Sequence, residues 1–202
     1  MAFLQYKYPA MFTRIIYFIS LFFISIDCYS QKVLVNVYLE NRVAKQSSDT
    51  IYYDVNRKLT WQDFRGKPDL HNPGGAVTAS GYAFDADMEM EDKIIYLNIG
   101  VYVYFLKSES WRKPDINSDF HLLHEQTHFD ITRLGAENFI KELVKSTFTK
   151  DNYSQLLNSV FDKSYNENMA LQTQYDTETQ HSIKYQIQLR WNEKIAAEIK
   201  KL

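Results

Sequence analysis

Residues 119–134 read Asp-Phe-His-Leu-Leu-His-Glu-Gln-Thr-His-Phe-Asp-Ile-Thr-Arg-Leu, and the rest of the predicted fold is arranged around them. Ser118 or Asp119 is a suitable N-cap for a helix. Apolar side chains then recur at roughly helical spacing along this stretch and beyond it. The sequence therefore predicts one long helix from about residue 118 to residue 145.

The same stretch contains a His-Glu-x-x-His pattern, formed by His124, Glu125 and His128. Residues i and i+4 lie one turn apart on one helix face, so both imidazoles can bind one metal ion. Glu125 lies about 100° around the helix, where it can act as a base on a metal-bound water. Three uncommon residues at fixed offsets favour a zinc site. The alternative is two histidines on a polar helix face beside a surface glutamate.

The chain before this helix has the composition of a β-sheet, because its segments are rich in β-branched and aromatic residues. The predicted strands are Val33–Leu39, Thr50–Val55, Ala76–Phe84 and Lys93–Phe105. In the last of them alternate residues from Ile95 to Phe105 are apolar, so one face is expected to be buried. The acidic run 85–92 is predicted to be a solvated turn.

The chain after the motif has helical periodicity. It predicts a second helix from about Asp151 to Gln174 and a third from Thr177 toward the end, opened by a capping box of Thr177 and Gln180. Strands followed by helices are typical of segregated layers. We predict an α+β domain in which a mostly antiparallel N-terminal sheet packs against about three C-terminal helices.

The first thirty residues have the pattern of a secretory signal. Lys7 and Arg14 precede about a dozen apolar residues, and small side chains lie before a junction after Ser30. We predict cleavage there, a periplasmic or extracellular location, and a single mature domain at 31–202. The apolar run is shorter than the roughly 20 residues that span a bilayer, so no stable membrane span is expected after cleavage. A lipoprotein acylated at Cys28 is the open alternative.

Composition limits the classes of partner. The 202 residues are 45% hydrophobic, which is enough for one sizeable core. The formal net charge is −2 and the sequence has no basic patch, so neither nucleic acid nor an anionic membrane is expected as a partner. Cys28 is the only cysteine, so the mature protein would have no disulfide.

A catalytic zinc normally has three protein ligands, so one more ligand is needed. His181 is predicted to begin the third helix and to supply it. Glu178 would share its face and is the competing ligand. His121 could lie near the site, while Asp130 or Asp176 could orient a ligand imidazole.

Together these motifs resemble one bacterial family. They are His-Glu-Gln-Thr-His-Phe-Asp-Ile at 124–131, Ser-Trp at 110–111, Trp-x-x-Phe-x-Gly-x-Pro at 61–68, and Tyr-Asp-x-Glu-Thr-x-His at 175–181. The chain is similar to the family catalogued as domain of unknown function 922, whose members are predicted secreted zinc-dependent proteases of the zincin type. The resemblance covers most of 31–202. Ser182 departs from it, because glycine is usual there.

We therefore predict a secreted zinc metallopeptidase that acts on a peptide or protein substrate. The zinc ligands would be His124, His128 and His181. Glu125 would be the general base, and Tyr175 would steady the oxyanion. The substrate would lie along a sheet edge at Ala76–Phe84. Two alternatives are a non-catalytic envelope module with structural zinc, and a zinc amidase that acts on cell-wall peptides.

Overall fold

A computed structural model describes residues 32–45 and 47–202. The predicted signal segment 1–30, with its cleavage junction and Cys28, lies outside the described residues. No helix within the described ranges is long and apolar enough to cross a membrane.

Strands come first and helices after, which confirms the predicted α+β class. The strands are β1 (Lys32–Leu39), β2 (Thr50–Tyr52), β3 (Ala76–Val77), β4 (Ser80–Glu91), β5 (Ile94–Leu106) and β6 (Trp111–Arg112). The helices are α1 (Asp119–Lys145), α2 (Tyr153–Thr179) and α3 (Tyr185–Ile199).

β5 is the centre of a mixed sheet. β4 pairs with it antiparallel along one side, while β1 and β2 share the other side. β2 is antiparallel, as predicted, but β1 runs parallel to β5. The chain reaches β5 from β1 by a long connection rather than a hairpin, which is the condition for parallel pairing. β3 and β6 form a separate two-stranded ladder.

The acidic run at 85–92 is not the solvated turn that the sequence predicts. Residues 85–91 continue β4 in register with β5, and only Asp92 and Lys93 make the turn, with φ of 47° and 67°. Two positive φ values are those of a tight two-residue hairpin turn. The carboxylates of 85–91 stay exposed, so this part of β4 forms its hydrogen-bond ladder without a desolvation penalty.

The main core lies between the sheet and the helices, and it confirms the predicted alternation along β5. Ile95, Leu97, Ile99, Val101, Val103 and Phe105 are all at most 3% exposed. All of them except Ile95 belong to the core formed with Phe129, Phe139 and Leu143 of α1. On its other side α1 packs against α2 and α3, so it is covered by both layers. This position explains why polar residues of α1 are buried.

The helix ends differ from prediction after α1. α1 begins as predicted, with the Ser118 side chain accepting a hydrogen bond from the His121 N–H. α2 continues to Thr179 and α3 begins only at Tyr185. The predicted capping box is wrong, because the Thr177 hydroxyl donates to the Thr173 carbonyl inside α2.

Candidate metal centre

Helix α1 brings His124 and His128 together as predicted. Their Nε2 atoms are 3.2 Å apart, and the two rings meet nearly edge to face. His124 is only 3% exposed, because α1 passes between the sheet and the other two helices. The two imidazoles therefore converge on one point inside the protein.

Asp176, on the last turn of α2, is the third group at that point. Its Oδ1 lies 3.0 Å from Nε2 of His124 and 2.9 Å from Nε2 of His128. Among the described His, Cys, Asp and Glu side chains, His124, His128 and Asp176 form the group that could bind a metal ion. The carboxylate takes the place that the sequence assigned to His181.

The spacing of these three atoms fits zinc. Nitrogen ligands lie about 2.0–2.1 Å from zinc, so two ligands of a tetrahedral ion are roughly 3.3–3.4 Å apart. The measured separations of 2.9–3.2 Å are close to that value. Two imidazole nitrogens and a carboxylate oxygen are a usual donor set for catalytic zinc, and they also suit ferrous iron.

Electrostatic interactions hold the cluster together without a metal. Burial alone would raise the pKa of Asp176, but hydrogen bonds from both imidazoles outweigh it and hold that pKa below its usual value. Burial alone would lower the pKa of His128, but the hydrogen bond to Asp176 and the charge of Glu125 raise it. Burial dominates at His124 and lowers its pKa to about 4. Protonated His128 and neutral His124 can therefore both donate to the Asp176 carboxylate.

Glu125 is buried beside the cluster and is 4% exposed. Its Oε2 accepts a 2.7 Å hydrogen bond from the hydroxyl of Thr78, in the link between β3 and β4. Burial raises the pKa of Glu125, against the opposing effects of His128 and Thr78. A carboxyl group with a raised pKa is suited to accepting and returning a proton near neutral pH.

Neither His181 nor Glu178 belongs to the group formed by His124, His128 and Asp176. His181 lies in the turn after α2, with Nδ1 3.4 Å from Oδ1 of Asp176 and its side chain 41% exposed. It lies outside the three-atom group because α2 continues past the point where the sequence predicted a new helix. Glu178 is exposed and accepts a 2.7 Å hydrogen bond from the Trp191 indole. Residues two apart on a helix point about 200° apart, so Glu178 faces away when Asp176 faces the histidines.

The predicted role of Tyr175 as an oxyanion donor is also corrected. Its ring is fully buried and stacks on His124 at 4.6 Å, and its hydroxyl donates to Oδ1 of Asn192 at 3.2 Å. Tyr175 is therefore a platform for the imidazole. Asp130 contacts Tyr53 and Gln126 rather than a ligand imidazole, so the orienting role considered for it is wrong.

Three residues near the motif were missed or misassigned. Asp176 was considered only as an orienting group, while Thr78 and Gln172 were not identified. Gln172 and Asp176 are four residues apart, and both contact His128. That spacing is visible in the sequence once α2 is extended to Thr179. The contact of Thr78 with Glu125 joins residues 47 positions apart, and no local pattern marks it.

Comparison of the chain with protein-family models, with curated proteins and with solved structures finds no match.

Proposed function

We propose that this protein is a zinc-dependent hydrolase that cleaves peptide bonds, with zinc held by His124, His128 and Asp176. The observation that carries the proposal is the triangle of two imidazole nitrogens and one carboxylate oxygen, with sides of 2.9–3.2 Å. The neighbouring buried Glu125 favours hydrolysis over a purely structural site, because His-Glu-x-x-His pairs two ligands with a base.

The chain's own residues supply the proton transfers. When bound, zinc would polarise a scissile carbonyl and lower the pKa of a coordinated water. Thr78 holds Oε2 of Glu125, so Oε1 is the oxygen that would accept the proton from the attacking water. Glu125 would then return that proton to the leaving nitrogen.

The strand beside the site favours an extended peptide as substrate. β4 pairs with β5 on one side and, within the described part of the chain, with no strand on the other. Just before and at its start, Thr78 contacts Glu125 and Ser80 contacts Thr132 of α1. A peptide added to this edge by backbone hydrogen bonds would run beside the proposed base. This keeps the substrate edge that the sequence suggested.

Export is part of the proposal. The signal-type sequence of residues 1–30 supports secretion to the periplasm or beyond. The resemblance to the domain of unknown function 922 family supports the same location and the same chemistry. The expected partner is a peptide or protein substrate.

A second candidate is a structural zinc site. Nδ1 of His181 lies 3.4 Å from Oδ1 of Asp176, a spacing that also suits a fourth ligand. Four protein ligands would fill the coordination positions of the ion and leave none for water or substrate. Glu125 would then have no chemical role.

The test combines metal analysis with activity. The wild-type protein is expected to contain one zinc, measured by elemental analysis that also reports iron, and to cleave peptides from a mixed library. Glu125→Gln keeps the side-chain size and is expected to retain zinc while losing about 10²–10⁴-fold in rate. Glu142→Gln is the control, because Glu142 lies on the same helix but pairs with Lys145 and Lys163, and this variant should change neither zinc content nor rate. Full activity in Glu125→Gln would refute the hydrolase, and zinc-free wild type would refute the site.

A further inference from the structure

We infer that Gln172 is a positioning residue that keeps a proton on Nδ1 of His128 and so leaves Nε2 of that ring as the metal ligand. The expected effect of Gln172 on metal binding rests on the proposed function. The position of the proton follows from the hydrogen bonds around the ring.

The orientation of the Gln172 amide is determined by its neighbours. Its nitrogen lies 3.0 Å from the backbone carbonyl of His128 and 3.0 Å from the hydroxyl oxygen of Thr132. A carbonyl only accepts hydrogen bonds, so the amide group facing it must be the NH₂. A flipped amide would place two acceptors against each other at that distance. Oε1 of Gln172 is therefore the atom that faces the imidazole.

That oxygen decides which ring nitrogen is protonated. Oε1 of Gln172 lies 2.6 Å from Nδ1 of His128, which is a short hydrogen-bond distance. An amide oxygen carries no hydrogen, so Nδ1 must carry the proton. In the metal-free protein Nε2 also carries a proton, which it donates to Asp176. A metal would displace that proton, and because Gln172 holds the other proton on Nδ1, Nε2 would be the ligand atom, facing His124 and Asp176.

Helix α2 thus holds both nitrogens of His128 with two residues one turn apart. Gln172 and Asp176 are at i and i+4, so they share a helix face, and they contact Nδ1 and Nε2 respectively. Rotation of the His128 ring about the bond that joins it to Cβ would break its contacts with both Gln172 and Asp176. The ring is therefore oriented before a metal arrives.

His124 has no such partner. Its Nδ1 is buried without a hydrogen bond among the described residues, and its ring lies against Tyr175. Stacking fixes the plane of that ring but not the position of its proton. Only the His128 ring is therefore held at both nitrogens among the described residues, and His124 provides an internal comparison in the same protein.

Histidine-labelled protein tests the inference by long-range proton–nitrogen NMR, which distinguishes the two tautomers. In the wild type, Nδ1 of His128 is expected to be protonated both with zinc and without it. Gln172→Met keeps the length of the side chain and removes the amide. In that variant, at a pH where the ring is neutral, the proton is expected to move at least partly to Nε2, which faces Asp176. Partners of this kind typically change metal affinity 10- to 100-fold, so a loss of about that size is expected in a competition titration.

Gln172→Glu still offers an oxygen to Nδ1 and is expected to keep Nδ1 protonated, although it loses the amide donor to the His128 carbonyl. Gln174→Met is the control, because Gln174 lies on the exposed side of the same helix and contacts Glu178. It should change neither the spectrum nor the affinity.

The inference is overturned if Nδ1 of wild-type His128 lacks a proton, a measurement that needs no variant. It is also overturned if Gln172→Met keeps both the wild-type spectrum and the wild-type affinity. If the wild type binds no zinc, the proposed function fails, while the metal-free spectrum still tests the proton position.

Discussion

The hydroxyl of Thr78 lies 2.7 Å from Oε2 of Glu125 and ties the segment before β4 to the proposed base on α1. Glu125 is 4% exposed, and no Lys or Arg among the described residues forms an ion pair with it. A buried carboxylate needs donors to offset its desolvation. Thr78 supplies one from the same segment that would bind substrate.

Thr78→Val is expected to retain zinc, to lower kcat about tenfold or more, and to cost about 1–3 kcal/mol of stability, because the carboxylate loses a donor. Thr78→Ser should restore most of the rate. Thr60→Val is the matched control, since the Thr60 hydroxyl also donates to a buried carboxylate, that of Asp63. Steady-state kinetics and thermal melts check these outcomes. An unchanged kcat in Thr78→Val would argue against positioning of the base.

The ligand assignment predicts different effects for three neighbouring residues. Asp176→Ala is expected to lower zinc affinity by at least about 100-fold, because one of three ligands is lost. Glu178→Ala should leave affinity unchanged, since that side chain faces Trp191. His181→Ala should change affinity by less than Asp176→Ala. A loss in His181→Ala equal to that in Asp176→Ala would favour the four-ligand structural site.

Removal of the metal should destabilise the protein. At free zinc about 100 times its dissociation constant, binding contributes about 2.7 kcal/mol to the free energy of unfolding. For a domain of this size that corresponds to a drop in Tm of about 5–11 °C on chelation. Zinc should restore the Tm, and His124→Ala should make it insensitive to the chelator. A chelator-independent Tm in the wild type would contradict the site.

Zinc affinity is expected to rise with pH. The pKa of His128 is raised above its usual value, so below that pKa zinc must displace a proton and affinity grows about tenfold per pH unit. Above it, affinity levels off. His124, with a pKa of about 4, releases no further proton near neutral pH. At a pH below the pKa of His128, calorimetry in buffers of different ionisation enthalpy should therefore find about one proton released per zinc, rather than two.

The end of α2 offers a test of the backbone. Gln180 has a φ of 50°, in the left-handed region that favours glycine. Gln180→Gly removes a left-handed cost of about 1–2 kcal/mol and gives back about 0.4–1 kcal/mol through the freer unfolded chain, so a net stabilisation of up to about 1 kcal/mol is expected. Gln174→Gly, inside α2, should destabilise it by about 1 kcal/mol. Denaturant melts measure both, and a loss of stability in Gln180→Gly would contradict the left-handed assignment.

Local patterns predicted the elements that depend on neighbours in sequence. The cap at Ser118, the long α1 helix and the buried alternation of β5 all follow from periods of 3.6 and 2 residues. The local capping-box pattern at Thr177 and Gln180 wrongly predicted that the third helix begins there, whereas α3 begins at Tyr185. A capping-box pattern there was outweighed by the continued packing of α2 against α1, which keeps Asp176 and Thr179 helical.

The sequence by itself determined that His124 and His128 share one helix face with Glu125 beside them, because four residues of helix make just over one turn. Only the tertiary structure decided which group completes the set. Asp176 and His181 are both more than forty residues away, and the end of α2 determines which of them reaches the imidazoles. Long-range packing of α2 and of the Thr78 segment on α1 thus adds Asp176 to the two histidines, so that three side chains could bind a metal, and it holds the Glu125 carboxylate beside them.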